Sequence, residues 1–321
     1  HLQRGDMFTR VSIPTPFQVG PVNAYIARRT IVDPGPDSEE AWSRLVEALE
    51  ARELSPDDIE QVLVTHPHPD HFGMANRFAE RGARVLASEP GAEIMGDFAA
   101  QLHTEQSYFA DFFERCGVSR ETAETVTQLP EAFLPYAQSV DTDRALAAGN
   151  TVTVDDTELT VDTVQGHSAG EIIFSYDFQG RREAVVGDNV LGDITPNPFL
   201  QVPDERGTRP KVLPAFNDSL RWLREQGHDR FLTGHREPVE SPSERIDDIL
   251  AEHDQRTAEV ADIVSGGATT PSDVMTALFG DLPATEYFAG MSEAVGHLDV
   301  LEVTDRVEKR ESGGVFVYES A

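Results

Sequence analysis

At 321 residues and 39% hydrophobic content, the chain has length for about two domains and apolar residues enough for a sizeable core. Its single cysteine excludes an internal disulfide framework and suits a reducing cytoplasm; with no apolar leader before Pro16 and no run long enough to span a bilayer, a cytoplasmic protein without a membrane partner is expected. Asp and Glu number 57 against 26 Lys and Arg, a net charge of −31 spread along the chain, and only Lys211 and Lys309 are lysines. A carboxylate-coated surface repels itself unless salt screens it, which points to a salt-adapted, halophilic host.

Strand-like runs open the chain at 18–27 and 30–33, after which Trp42, Leu45, Val46 and Leu49 fall at helical spacing within 38–52. Gln61-Val62-Leu63-Val64-Thr65 has strand length and runs straight into His66-Pro67-His68-Pro69-Asp70-His71-Phe72-Gly73. Three imidazoles and a carboxylate in six positions are metal-ligand chemistry, and these donor types favour zinc or a similar divalent ion. The two prolines remove backbone donors and push the residues before them into extended conformations. An extended stretch alternates its side chains, so His66, His68 and Asp70 are expected to point one way, with His71 taking the next position. Helical spacing resumes at 74–79, leaving the ligands on a loop at a strand end, where catalytic groups tend to sit.

After a strand at 83–88, residues 92–145 interrupt with helical patterns around Leu102-His103, around Tyr108, Phe109, Phe112 and Phe113, and at 129–136. Cys116 reads as a small buried hydrophobe. Strands are expected again at 151–154, 158–164, 171–177 and 183–187, and a helix near 214–226 leads into a strand before Gly234. This order suits an α/β sandwich of two mixed sheets with helices outside. Further on, helical patterns at 243–264, 272–279 and 284–301 precede two strands around Ser312-Gly313-Gly314, with Thr270-Pro271-Ser272-Asp273 as a helix cap. His228 and His253 have no ligand context and are expected on solvated helix faces; His297 reads as a surface or core residue.

Three more segments repeat one context. His167 follows the alternating run 159–164, Asp188 follows Ala184-Val185-Val186-Gly187, and His235 follows Phe231-Leu232-Thr233-Gly234. Each is a ligand-type residue just past the carboxyl end of a strand, and the preceding Gly187 and Gly234 permit the turn or close approach that aims it inward. The ordered set HxHxDH, His, Asp, His resembles the metallo-β-lactamase superfamily of hydrolases over about residues 13–240. That resemblance implies a four-layer αβ/βα sandwich. It implies His66, His68 and His167 at a first metal, Asp70, His71 and His235 at a second, Asp188 bridging them, and Asp33 supporting the site without binding metal. Residues 16–25 resemble the opening strand of the glyoxalase-II-like branch. On this reading residues 1–242 form the catalytic domain, with a helical insertion at about 92–145. Residues 243–321 form a C-terminal domain that looks like a winged-helix module. An insertion facing the metals would build a substrate pocket, with His103, Tyr108 and Asn197 as candidates, although helix packing accounts for Tyr108 as well.

Two divalent cations about 3.5–4 Å apart can share one hydroxide and clamp the attacked oxygen. Zinc lowers the pKa of bound water towards about 7, so no strong base is needed. The expectation is a dinuclear metal-dependent hydrolase with Asp70 and Asp188 in catalytic roles. Its cofactors are two divalent ions, zinc with manganese or iron as alternatives, and its substrate is a small thioester or ester. A metal-dependent endoribonuclease or other phosphodiesterase is the alternative, because the same site serves RNA-cleaving members of the superfamily. From Gly266 onwards, however, ten acids face three bases, and phosphate contacts need Lys and Arg. Packing, or formation of a homodimer, is the role expected of that module.

Overall fold

The first sheet begins with β1 (Thr9–Ile13), where buried Val11 and Ile13 alternate with exposed neighbours; the computed structural model describes residues 5–321. Strands β2 (Val22–Ala27) and β3 (Thr30–Val32) add to it antiparallel. Helix α1 (Glu39–Glu50) starts at Ser38, whose side chain accepts a hydrogen bond from the Ala41 amide. Next come β4 (Gln61–Leu63), the short helices α2 (Pro69–Phe72) and α3 (Ala75–Ala79), and β5 (Arg84–Ser88). The interruption is helical as expected: α4 (Glu89–Gly96), α5 (Phe98–Arg115), α6 (Arg120–Gln128) and a 3-10 stretch, Leu129–Tyr136. Strand β6 (Arg144–Leu146) then closes the first sheet, whose order is β1-β2-β3-β4-β5-β6 with β3 to β6 parallel.

The second sheet is built from β7 (Thr151–Val154), β8 (Thr157–Thr163), β9 (Ile172–Phe178) and β10 (Arg181–Gly187). Helix α7 (Val212–Glu225) precedes its last strand, β11 (Arg230–Thr233). The order is β11-β10-β9-β8-β7, antiparallel except for β10 with β11. The chain ends with α8 (Pro242–Ser265), α9 (Pro271–Phe279), α10 (Ala284–Val303) and the hairpin of β12 (Val307–Ser312) and β13 (Val315–Ser320).

Strand β2 shows why the sandwich forms. Val22, Ala24 and Ile26 pack with Ala41, Leu45 and Leu49 of α1, whereas Tyr25 and Ala27 join Val152, Val161 and Phe174 between the two sheets. Both faces are covered, so the strand reads as an unbroken apolar run. Burying one such Leu or Val is worth roughly 1.5–3 kcal/mol. By backbone contacts the described chain divides into two compact units: residues 5–99, 133–196 and 223–245 hold both sheets, and residues 100–132, 197–222 and 246–321 form a helical unit with the hairpin. The second has its own core, including Phe109, Phe112, Phe113, Val260, Met291 and Leu298. Among the described residues no helix is long and apolar enough to cross a membrane.

The structure corrects several expectations. Strand β2 starts at Val22 rather than 18, because Gly20, at φ +92°, and Pro21 turn the chain just before it. Strands β1 and β6 carry too few inward residues to stand out in sequence. His228 and His253 are buried, not solvated. His228 Nε2 lies 2.9 Å from Ser175 Oγ, and His253 Nδ1 lies 2.7 Å from Asn217 Oδ1. Each partner comes from another element, so no local pattern announces it. His297 is a core residue paired with Thr257.

Candidate metal centre

The HPHPDH segment leaves β4 in extended form as far as His68 (φ −89°, ψ 143°), then turns into α2 at Pro69. Proline is tolerated there because the first helical amide has no partner to lose. The amides of His71 and Phe72 both donate to the His68 carbonyl, at 2.9 and 3.1 Å. Asp70 and His71 therefore lie in a helical turn, which corrects the expectation that the extended stretch runs on through Asp70. A Cβ at Gly73 would stand 1.9 Å from the Tyr136 carbonyl oxygen, so a glycine is needed where this turn ends.

The other candidates arrive from the second sheet: His167 after β8, Asp188 after β10 and His235 after β11. Two groups result, His66, His68 and His167 in one and Asp70, His71, Asp188 and His235 in the other, with the ligand atoms of each within 4.8 Å of one another. Asp188 Oδ2 sits among them, 3.1 Å from His71 Nε2, 3.3 Å from His235 Nε2, 3.5 Å from His167 Nε2 and 3.6 Å from His66 Nε2. Asp70 Oδ2 lies 3.2 Å from His235 Nε2. Asp33 also comes close to His66 and His71, but its carboxylate is already committed. Its Oδ1 accepts from the Thr65 amide at 2.8 Å, and its Oδ2 accepts from Thr65 Oγ1 at 2.6 Å and from His71 Nδ1 at 2.9 Å.

Those bonds fix the imidazoles. Thr65 Oγ1 gives its proton to Asp33 and so accepts from His66 Nδ1, 2.9 Å away. His235 Nδ1 donates to the Pro21 carbonyl at 2.8 Å. In His66, His71 and His235 the Nδ1 edge is thus engaged and Nε2 is turned to the centre, the arrangement that presents a lone pair to a cation.

Charge divides the cluster in two. Burial, with neighbouring imidazoles, holds His66 well below its ordinary pKa and His68 down at about 3. Burial also pulls on His71 and His235, but the carboxylates outweigh it: Asp188, Asp70 and Asp33 lift His71 well above the ordinary value, and Asp188 with Asp70 lifts His235 to about 10. Burial would raise Asp188, yet His71 and His235 hold it well below the usual carboxylate range. His66 Nε2, His235 Nε2 and Asp188 Oδ1 are buried with no hydrogen bond of good geometry, a cost that divalent ions would remove. The donor set fits two such ions.

Several contributors were not legible as site residues: Thr65, Pro21, and Glu171, whose Oε2 accepts from the His167 amide at 3.1 Å and from Asn189 Nδ2 at 3.2 Å. Burial pushes Glu171 up to about 7. Its one sequence signal is its place four residues after His167. The three pocket candidates all belong to the second unit. His103 is exposed on α5, Tyr108 stacks on Phe112 at 5.7 Å, and Asn197 Nδ2 donates to the Ala289 carbonyl at 3.1 Å. Cys116 is buried in that unit's core, as expected, with its thiol pushed up to about 12 by burial.

Two mixed sheets carrying a buried His/Asp cluster at their strand ends, suited to a dinuclear metal site, define a metallo-hydrolase. Residues 18–235 match the family described as the Metallo-beta-lactamase superfamily, and the chain belongs to it. Over 314 residues, 97% of each chain, it is 28% identical to the Bacillus subtilis (strain 168) protein named Probable metallo-hydrolase YqjP. Two crystal structures share its fold. A metallo-beta-lactamase family protein from Thermus thermophilus is 24% identical with a TM-score of 0.79, over 98% of this chain and 99% of that one. A Beta-lactamase domain protein from Burkholderia ambifaria is 24% identical with a TM-score of 0.81, over 100% of this chain and 93% of that one.

Proposed function

We propose that the protein is a dinuclear metal-dependent hydrolase in which His66, His68 and His167 hold one divalent ion and Asp70, His71 and His235 the other. Asp188, whose Oδ2 lies among imidazoles of both groups, would serve both. Zinc suits this donor set, and manganese or iron would accept it. The observation that carries the reading is the central carboxylate: Asp188 Oδ2 lies within 3.6 Å of four imidazole Nε2 atoms, two from each group. A structural zinc site is closed by four ligands, whereas seven shared between two ions leave positions for a substrate. When bound, such ions supply Lewis acidity and a water ionised near neutral pH.

The chain's own residues do the rest. Asp33 and Thr65 keep His71 and His66 presenting Nε2, Asp70 would orient a water for attack, and burial of the cluster strengthens every charge interaction within it. The relative's name supports the same reaction class. No Ser or Cys nucleophile is required, since the ions would supply an ionised water; the chain's only cysteine, Cys116, lies in the second unit.

The substrate we favour is a small thioester or ester, in keeping with the glyoxalase-II-like opening strand. Phosphate contacts need Lys and Arg, and from Gly266 onwards only three bases stand against ten acids. The C-terminal helices and hairpin, read as a winged-helix-like module with few bases, would pack or pair two copies of the chain. The lone cysteine supports a reducing cytoplasm, and the acidic surface supports a salt-adapted host, for which the urea midpoint should rise between low and molar KCl. The test is metal analysis followed by a panel of thioesters, esters, lactones, phosphodiesters and short RNAs in molar KCl. Two equivalents of metal and thioester or ester turnover are expected. Fewer than two equivalents, or turnover confined to RNA and phosphodiesters, would overturn the reading.

A further inference from the structure

Asn23 forms no bond to any candidate ligand side chain, yet the turn that carries His235 is built against it. Its backbone amide donates to the Gly234 carbonyl at 2.7 Å, and its side-chain Nδ2 donates to the carbonyls of Thr233 at 3.0 Å and Arg236 at 2.8 Å. One residue, 4% exposed, therefore grips the chain on both sides of His235. Two positions earlier, the Pro21 carbonyl takes the imidazole Nδ1 proton. Ring and backbone are held by one short segment.

The turn needs holding. Arg236 sits at φ +64°, a left-handed conformation that a residue with a Cβ keeps only where its surroundings impose it. The turn has further supports: Thr233 Oγ1 donates its one proton to the nearer carbonyl, that of His235 at 2.9 Å, with the Glu237 carbonyl 3.2 Å away, and Arg10 Nη1 donates to the Arg236 carbonyl at 2.7 Å. Two carbonyls facing one side chain call for two N–H donors. A carboxylate would repel both carbonyls, and a hydroxyl has one proton to give.

We infer that Asn23 is a positioning residue for the half of the centre built on His235, bending the 233–237 turn so that His235 Nε2 reaches the space it shares with Asp70 and Asp188. The inference rests on the dinuclear reading above. Its reach is selective: Asn23 holds the turn of His235, while His66, His68 and His167 stand on other loops.

The experiment titrates the purified full chain with zinc alone against a chelating indicator, so that the two equivalents are read separately and without turnover. Wild type should take up two. Asn23→Ala should leave the first unchanged and weaken the second about 10- to 100-fold, the usual cost of losing a supporting residue. Adding Arg236→Gly should recover most of that loss, because glycine takes positive φ unaided; a residue needed only for general stability would show no such rescue. If Asn23→Ala does not fold, Asn23→Ser, which keeps one donor, reads the same quantity with a smaller loss. Equal weakening of both equivalents, an unchanged second equivalent, or no rescue overturns the inference with the dinuclear reading intact. Fewer than two equivalents in wild type overturns that reading and the inference together.

Discussion

Replacing Gly234 with alanine adds one carbon whose position is known: 2.0 Å from Asp188 Oδ1, 2.8 Å from His71 Cε1 and 3.2 Å from the Gly187 carbonyl carbon. The backbone accepts the change, since Gly234 lies outside the left-handed region. The collision is therefore the whole perturbation. Non-bonded atoms attract at about 3.5–4 Å and clash steeply inside about 3 Å, so Asp188 Oδ1 must retreat by about 1 Å or more. His71 cannot take up the strain, being buried and hydrogen-bonded to Asp33 at 2.9 Å. Asp188 would then lose its central place among four imidazoles.

Misplacing a reacting group by about 1 Å costs on the order of 10²-fold in rate, and overpacking costs about 1–3 kcal/mol of stability. The assay is kcat/KM on the best substrate of the panel, with zinc stoichiometry and a urea midpoint alongside. Gly96→Ala is the control, because it closes α4 with nothing within 4 Å of the added carbon; it should leave kcat/KM unchanged. Wild-type kcat/KM and two zinc equivalents in Gly234→Ala would refute the central placing of Asp188.

Thr65→Val keeps the volume but removes the hydroxyl between Asp33 and His66; zinc affinity should fall about 10- to 100-fold in the same titration, and an unchanged value would mean that Thr65 does not orient His66. In the second unit, Arg209 meets Asp299 through two bonds of 2.9 and 2.8 Å, with the Asp299 side chain 1% exposed. Arg209→Met should cost about 3–5 kcal/mol in urea unfolding by stranding that carboxylate, and adding Asp299→Leu should recover much of it; a loss no smaller in the double variant would refute the account. Burial lowers His253 from 6.5 to about 4, so the unfolded chain takes up its proton first as pH falls. The stability of the neutral imidazole is complete above about pH 6.5 and is lost between there and about pH 4, by about 2 kcal/mol at pH 5. His253→Gln should therefore lose about 2 kcal/mol less than wild type between pH 7 and pH 5, and parallel losses would refute the assignment.

The candidate ligands can be read from sequence because ligand identity is local. His66, His68, Asp70 and His71 are nearly contiguous, and His167, Asp188 and His235 each stand just past a strand-like run. What holds them cannot be read the same way. The acceptor for His235 Nδ1 is a backbone carbonyl 214 residues away, and any residue type can supply a carbonyl. Thr65 and Asp33 meet across 32 residues through side chains that also read as a strand end and a turn. Local pattern misplaces His228 and His253 for the same reason, their partners Ser175 and Asn217 being distant in sequence and ordinary in type. Strand β1 escapes notice on other grounds: with Arg10 and Ser12 flanking the first of its two buried residues, it shows barely one period of alternation.

Two of the three glycines that precede a ligand, Gly187 and Gly234, show how far a local pattern reaches. Both suggest either a positive φ or a close approach, and the structure divides these causes between them unequally. Gly187 needs both, at φ +55° with Thr65 Oγ1 2.6 Å from where a Cβ would stand. Gly234 needs only the space. Identical sequence contexts thus arise from different physics, because the backbone angle depends on how each strand meets its neighbour: Gly187 falls where the β10–β11 register shifts, whereas Gly234 lies just beyond it. A side chain at position 187 would be strained however much room it had. At position 234 the volume alone decides, which is why that substitution isolates the place of Asp188.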